Sequence, residues 1–154
     1  MRIILDTNVF ISGVFFSGPP YEILNAWRLG QVQIVLSQEI LQEYERVGEE
    51  LRAQFPEVDV RRWVDLALTC GEFLACPSLP ESVCRDPDDD KFLACAAAAK
   101  VKHIVSGDKD LLSVSGYCGI EVIKPREFVN RSLRRKRQRY PGAWVLTPAA
   151  AAGA

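Results

Sequence analysis

Arg2-Ile3-Ile4-Leu5-Asp6-Thr7-Asn8 opens the chain with a short β-branched and aliphatic run that ends in an acid. Such a run reads as a strand, and Asp6-Thr7-Asn8 as the turn that closes it. In a parallel sheet Asp6 then stands at the carboxyl edge, where α/β folds collect groups from distant stretches of sequence into one crevice. If the extended backbone continues, Asp6 and Asn8 project together and Thr7 points elsewhere.

Further strand signals follow at residues 31–36, 73–76, 102–106 and 120–123, separated by helical patterns. Ile23, Leu24, Trp27 and Leu29 mark a helix over residues 21–29, with Pro20 acceptable at its start. Ser37 is the expected N-cap of the next helix, whose apolar stripe is Ile40, Leu41, Tyr44, Val47 and Leu51. Residues 60–70 form another helix, 77–87 a proline-rich loop, 91–100 an alanine-rich buried helix, and 125–129 a terminal helical segment. Strands alternating with helices predict an α/β fold, a three-layer α/β/α sandwich around a mainly parallel sheet.

Four acids fall at the ends or faces of these elements: Asp6 after the first strand, Glu43 on a helix, Asp90 at a helix entrance, and Asp108 beyond Ile104-Val105-Ser106. Each has an ordinary explanation when read alone. Asp6 can cap an Asx turn, Glu43 can be a solvated helix residue, Asp90 can N-cap the helix after Asp86-Pro87-Asp88-Asp89, and Asp108 can close a structural turn. Asp90 capping and metal binding are compatible, because the helix N-terminus directs the carboxylate. Gathered in one crevice, unpaired carboxylates repel one another and are costly to bury, and a divalent cation is the simplest compensation. Asp6, Glu43, Asp90 and Asp108 are therefore the expected catalytic metal ligands, with Asp110 auxiliary and Asn8 and Ser106 supporting. Oxygen ligands of this kind suit Mg2+ or Mn2+ and the hydrolysis of a phosphodiester.

Composition restricts the alternatives. With 154 residues, 48% of them hydrophobic and 25% charged, the chain fits one globular domain. The five cysteines lack a close paired motif and His103 is the lone histidine, so neither a disulfide scaffold nor a zinc site is favoured. With no signal-like or membrane-spanning run, a reducing cytoplasm is the expected location. The net charge of -1 conceals a division, because all 20 acidic residues precede residue 131. The six basic residues beyond that point are Arg131, Arg134, Arg135, Lys136, Arg137 and Arg139. This basic stretch suits contact with a phosphate backbone, a solubilising role or an acidic protein partner.

The segments Ile3 to Val9, Ser37 to Tyr44, Asp86 to Ala98, Ile104 to Leu112 and Ile120 to Pro125 together resemble the PIN-domain family, particularly its short VapC-like toxins. The resemblance covers residues 1–130 and leaves 131–154 as a basic, then Ala/Gly-rich extension. It implies the sheet order 3-2-1-4-5 and assigns Asp6, Glu43, Asp90 and Asp108 to the acidic positions, with Asp88 or Asp89 replacing or assisting Asp90 if the loop register differs. It also implies Mg2+- or Mn2+-dependent cleavage of RNA, a small antitoxin partner and a homodimer. A noncatalytic RNA- or protein-binding PIN domain and a DNA nuclease are alternatives. A HAD-like phosphatase is disfavoured because Asn8 stands where an Asp-x-Asp motif needs its second acid.

Overall fold

The computed structural model describes residues 1–134. Five parallel strands form one sheet: β1 (Arg2–Leu5), β2 (Gln33–Leu36), β3 (Glu72–Phe73), β4 (His103–Val105) and β5 (Glu121–Ile123), in the order β3-β2-β1-β4-β5. The order is the expected one. The helices are α1 (Thr7–Phe15), α2 (Pro19–Arg28), α3 (Gln38–Arg52), α4 (Val60–Cys70), α5 (Asp90–Ala99), α6 (Lys109–Ser113) and α7 (Pro125–Phe128). Central strands are buried on both faces, which is why Ile3, Ile4, Leu5, Ile34, Val35, Leu36, Ile104 and Val105 form apolar runs rather than alternating ones.

One helix departs from the sequence reading. The chain turns helical at Thr7, so the extended alternation of Asp6 and Asn8 does not occur. The α1 segment is rich in β-branched and aromatic residues, and Asp6 makes no side-chain cap bond there. Its helicity comes from burial of Val9, Phe10 and Ile11 rather than from propensity. Gly13 lets α1 approach α2 closely, since a Cβ there would stand 2.6 Å from Leu24 Cδ1 and 2.8 Å from the Pro20 carbonyl oxygen.

Helix α3 starts as expected, with the Ser37 hydroxyl accepting from the Ile40 N–H. It is tied to β1 by Tyr44, whose ring stacks on Phe10 at 4.1 Å and whose hydroxyl donates to the Leu5 carbonyl at 2.5 Å. This buried clasp fixes the helix carrying Glu43 beside the strand end carrying Asp6. Beyond α7 a π-helical segment, Val129–Arg134, keeps Val129 buried and packs Leu133 against the core.

Replacing Tyr44 with Phe removes the donor and strands a buried carbonyl, at an expected cost of about 1–3 kcal/mol. Urea unfolding of Tyr44→Phe measures this, and an unchanged midpoint would show that stacking alone holds α3.

Candidate metal centre

Parallel pairing assembles the centre. Leu5 aligns with Val105, and the Asp6 N–H extends the ladder by donating to the Val105 carbonyl at 3.0 Å. The buried Ser106 hydroxyl then donates to Asp6 Oδ2 at 2.8 Å and accepts from the Asp108 N–H at 3.0 Å. Ser106 thus holds both acid-bearing turns in place. Asp108 caps α6, accepting from the Asp110 N–H at 2.9 Å through Oδ1.

The third strand of sequence reaching this edge is the acidic run before α5, and here adjacent residues diverge. Asp86 accepts from the Asp88 N–H and starts a short 3-10 turn, Pro87–Asp89, that runs into α5. Asp89, not Asp90, occupies the N-cap position of α5, and its side chain makes no cap bond. One ligand oxygen each from Asp89, Asp108 and Asp110 lies within 4.8 Å of the other two. Asp89 Oδ2 is buried and has no hydrogen-bond partner.

Asp90 is the first helical residue, and its carboxylate turns back onto the preceding loop. It accepts from Ser82 Oγ at 2.9 Å, from the Val83 N–H at 3.2 Å and from the Cys84 N–H at 2.8 Å. Partial burial opposes its ionisation, but the bonds from Cys84, Ser82 and Val83 prevail and hold its carboxyl below the usual range. The sequence reading made Asp90 both N-cap and metal ligand; the N-cap position is held by Asp89, and the Asp90 oxygens accept from residues 82–84 while the neighbouring acid joins the cluster. Burial and the Asp90 carboxylate push the Cys84 thiol up to about 12, which leaves it a neutral S–H.

The other expected residues are placed as follows. Asp6 is 4% exposed and borders the cluster. Burial raises its carboxyl above the ordinary range, with Asp108 and Glu43 adding to the effect and the Ser106 bond opposing it. Glu43 accepts from Thr7 Oγ1 at 2.6 Å and pairs with Lys91. Thr7 therefore points toward the acids, while exposed Asn8 lines a shallow pocket with Ser12, Gly107 and Asp108. Lys91 is a contributor that the sequence reading did not select; its ammonium one residue beyond Asp90 was the available signal.

Of the basic stretch, Arg131 pairs with Glu121 and Glu127, and exposed Arg134 borders a groove with Tyr21, Glu22 and Leu29. Arg135, Lys136, Arg137 and Arg139 lie outside the described residues. No helix among the described residues is long and apolar enough to cross a membrane.

The donor set fits a divalent cation. It consists of carboxylate oxygens, hard ligands at a spacing a single ion can bridge, and Asp89 also has a buried oxygen without a partner. Burial, with Asp108, Asp6 and Asp86 nearby, pushes Asp89 up to about 7 against the opposing charge of Lys91. A cation would oppose that shift by favouring the ionised carboxylate.

Residues 2–110 match the PIN domain family, and the chain belongs to it. It is 30% identical over 140 residues to the uncharacterized protein MJ1680 of Methanocaldococcus jannaschii, covering 84% of this chain and 90% of that one. A crystal structure of VapBC2 from Rickettsia felis, bound to a DNA fragment from their promoter, superposes with a TM-score of 0.49 at 12% identity, over 80% of this chain and 98% of that one. The protein thus combines a PIN-domain fold with a clustered acidic triad, consistent with a metal-dependent nuclease.

The raised carboxyls set a pH dependence. Asp6 and Asp89 bind protons more tightly folded than unfolded, so their contribution to stability is full below the unfolded value near ~4 and is lost as pH rises through about 7 for Asp89. Metal-free protein should lose thermal stability between pH 5 and 8, and Asp89→Asn should flatten much of that fall. A wild-type profile that rises over this window, unchanged by the substitution, contradicts the assignment.

Proposed function

We propose that the chain is a Mg2+- or Mn2+-dependent endoribonuclease that hydrolyses RNA phosphodiester bonds as the toxin of a toxin-antitoxin pair. The observation that carries this reading is the Asp89–Asp108–Asp110 group, its ligand oxygens within 4.8 Å of one another at the carboxyl edge of a parallel sheet. On this reading Asp89, Asp108 and Asp110 hold the metal, with Asp6 beside them. When bound, the cation supplies charge neutralisation, an acidified water and stabilisation of the phosphoryl oxygens.

The protein's own residues supply position. Ser106 orients Asp6 and the Asp108 backbone through one hydroxyl, so both acids keep a fixed direction. Asp90 pins residues 82–84 to the start of α5 and thereby sets the turn that aims Asp89. Asn8 and Ser12 line the open side of Asp108, where a nucleotide can approach. Arg134 and the basic residues after it add sequence-independent attraction to phosphates that the acidic cleft would otherwise repel. A small antitoxin carrying a basic side chain, a homodimeric assembly and a cytoplasmic setting complete the reading; the free state of all five cysteines suits a reducing compartment.

Cleavage of matched single-stranded RNA and DNA in Mg2+ and in Mn2+ is the direct test. Asp89→Asn and Asp108→Asn should each lower RNA cleavage on the order of a hundredfold or more while the fold persists. Asp90→Asn should instead lower thermal stability and leave Mn2+ binding intact. Metal-bound wild type that cleaves neither polymer would favour a noncatalytic binding role, and DNA-restricted cleavage would reassign the substrate.

A further inference from the structure

Gly107 stands between Ser106 and Asp108, and nothing in the fold accounts for it. The other described glycines are explained: Gly18, Gly30, Gly116 and Gly119 have positive φ, and a Cβ at Gly13, Gly48 or Gly71 would come within 2.7 Å of a neighbouring atom. Gly107 has neither feature. Its φ lies outside the left-handed region, and a Cβ there would meet nothing within 4 Å. A solvated turn glycine is the plain alternative, but such a turn is stabilised by alanine, which restricts the unfolded chain. Close approach of a ligand to the backbone is the remaining reason to keep a position bare.

Gly107 and Asp108 line an open groove with Asn8 and Ser12, and Asp108 also belongs to the acidic triad. The groove therefore adjoins the metal group through a shared residue. Asn8 and Ser12 stand one turn apart on α1, and the side chain of neither has a hydrogen-bond partner among the described residues. Pro20 and Pro125 add apolar surface, and none of the residues lining the groove is basic. Neutral donors and acceptors beside apolar surface suit a sugar and base. A second phosphate would meet only the Asp108 carboxylate, which repels it.

We propose that this groove is a nucleoside subsite: the space left bare at Gly107 admits the sugar and base next to the scissile phosphate, and the Asn8 amide and Ser12 hydroxyl hydrogen-bond to them. Gly107 is then a specificity-determining position, held open for substrate. This inference rests on the nuclease reading above and names the part of the substrate that the open side of Asp108 receives.

The test uses the full chain with Gly107→Ala, Gly107→Val and Ser12→Ala. Anisotropy of a labelled single-stranded RNA of mixed sequence, recorded in Ca2+ over a salt series, reads the contact, calorimetry with Mn2+ reads the metal site, and thermal unfolding reads the fold. Both Gly107 variants should unfold no lower than wild type and bind Mn2+ equally well. Gly107→Val should weaken RNA binding on the order of tenfold and Gly107→Ala by less, since added methyl groups fill the space the ligand needs. Ser12→Ala should lose about threefold to tenfold, the share of one hydrogen bond. In all three the slope of log K against log salt should match wild type, because no phosphate contact is removed. A slope lower by about 0.7, the share of one phosphate on a single strand, would put a phosphate in the groove and overturn the proposal. Wild-type RNA affinity in Gly107→Val, or weakened Mn2+ binding in Gly107→Ala, overturns the subsite alone. Wild type that binds neither Mn2+ nor RNA overturns the nuclease reading and this inference with it.

Discussion

The pairing of β1 with β4 is the constraint on which the rest depends. These strands are separated by about a hundred residues of sequence, yet their register sets Leu5 beside Val105 and therefore Asp6 beside Ser106. Every later feature of the centre is built on that adjacency: the Ser106 bridge, the Asp108 cap and the approach of the α5 entrance. The apolar runs of the central strands provide the driving force, because a strand buried on both faces gains from every residue. Concentrated negative charge is the opposing term, visible in the raised carboxyls of Asp6 and Asp89. Folding of the sheet thus holds together groups that would separate if free.

Two levels of positioning surround the acids. Tyr44 and Ser106 act within the core, one fixing helix α3 to β1 and the other joining the ends of β1 and β4. Asp90 acts on the surface loop, where three donors saturate its carboxylate and fix the turn from Pro87 into α5. Because successive residues at a helix entrance point in different directions, Asp89 and Asp90 have separate tasks despite identical chemistry. One carboxylate is fully bonded to protein and the other has a buried oxygen with no partner.

The sheet, its order and most helices were legible in the sequence, because buried parallel strands and amphipathic helices have distinct periodicities. Residues 60–70 and the Ser37 cap illustrate how local signals and tertiary packing can agree. Helix α1 was not legible, since Val9-Phe10-Ile11 carries strand-like composition and only packing against α2 and α3 makes it helical. The neighbourhood of the centre was legible as a set of acidic segments, and Asp108 and Asp110 are neighbours in space as well as in sequence. The choice among Asp88, Asp89 and Asp90 was not, because composition carries no information on which side of a helix entrance a carboxylate faces. The Lys91–Glu43 pair was hidden for a related reason: it joins α5 to α3 across 48 residues, and neither partner carries a local signal of the other.

The central claim is that Asp89, Asp108 and Asp110, with Asp6 alongside, form the metal centre of this PIN domain. Anomalous diffraction from a crystal equilibrated with Mn2+ tests it most directly. The account predicts a peak bounded by the carboxylates of Asp89, Asp108 and Asp110, with Asp90 still bonded to residues 82–84. A peak coordinated by Asp90 with Asp89 turned away, or no ordered manganese at this edge of the sheet, would contradict it.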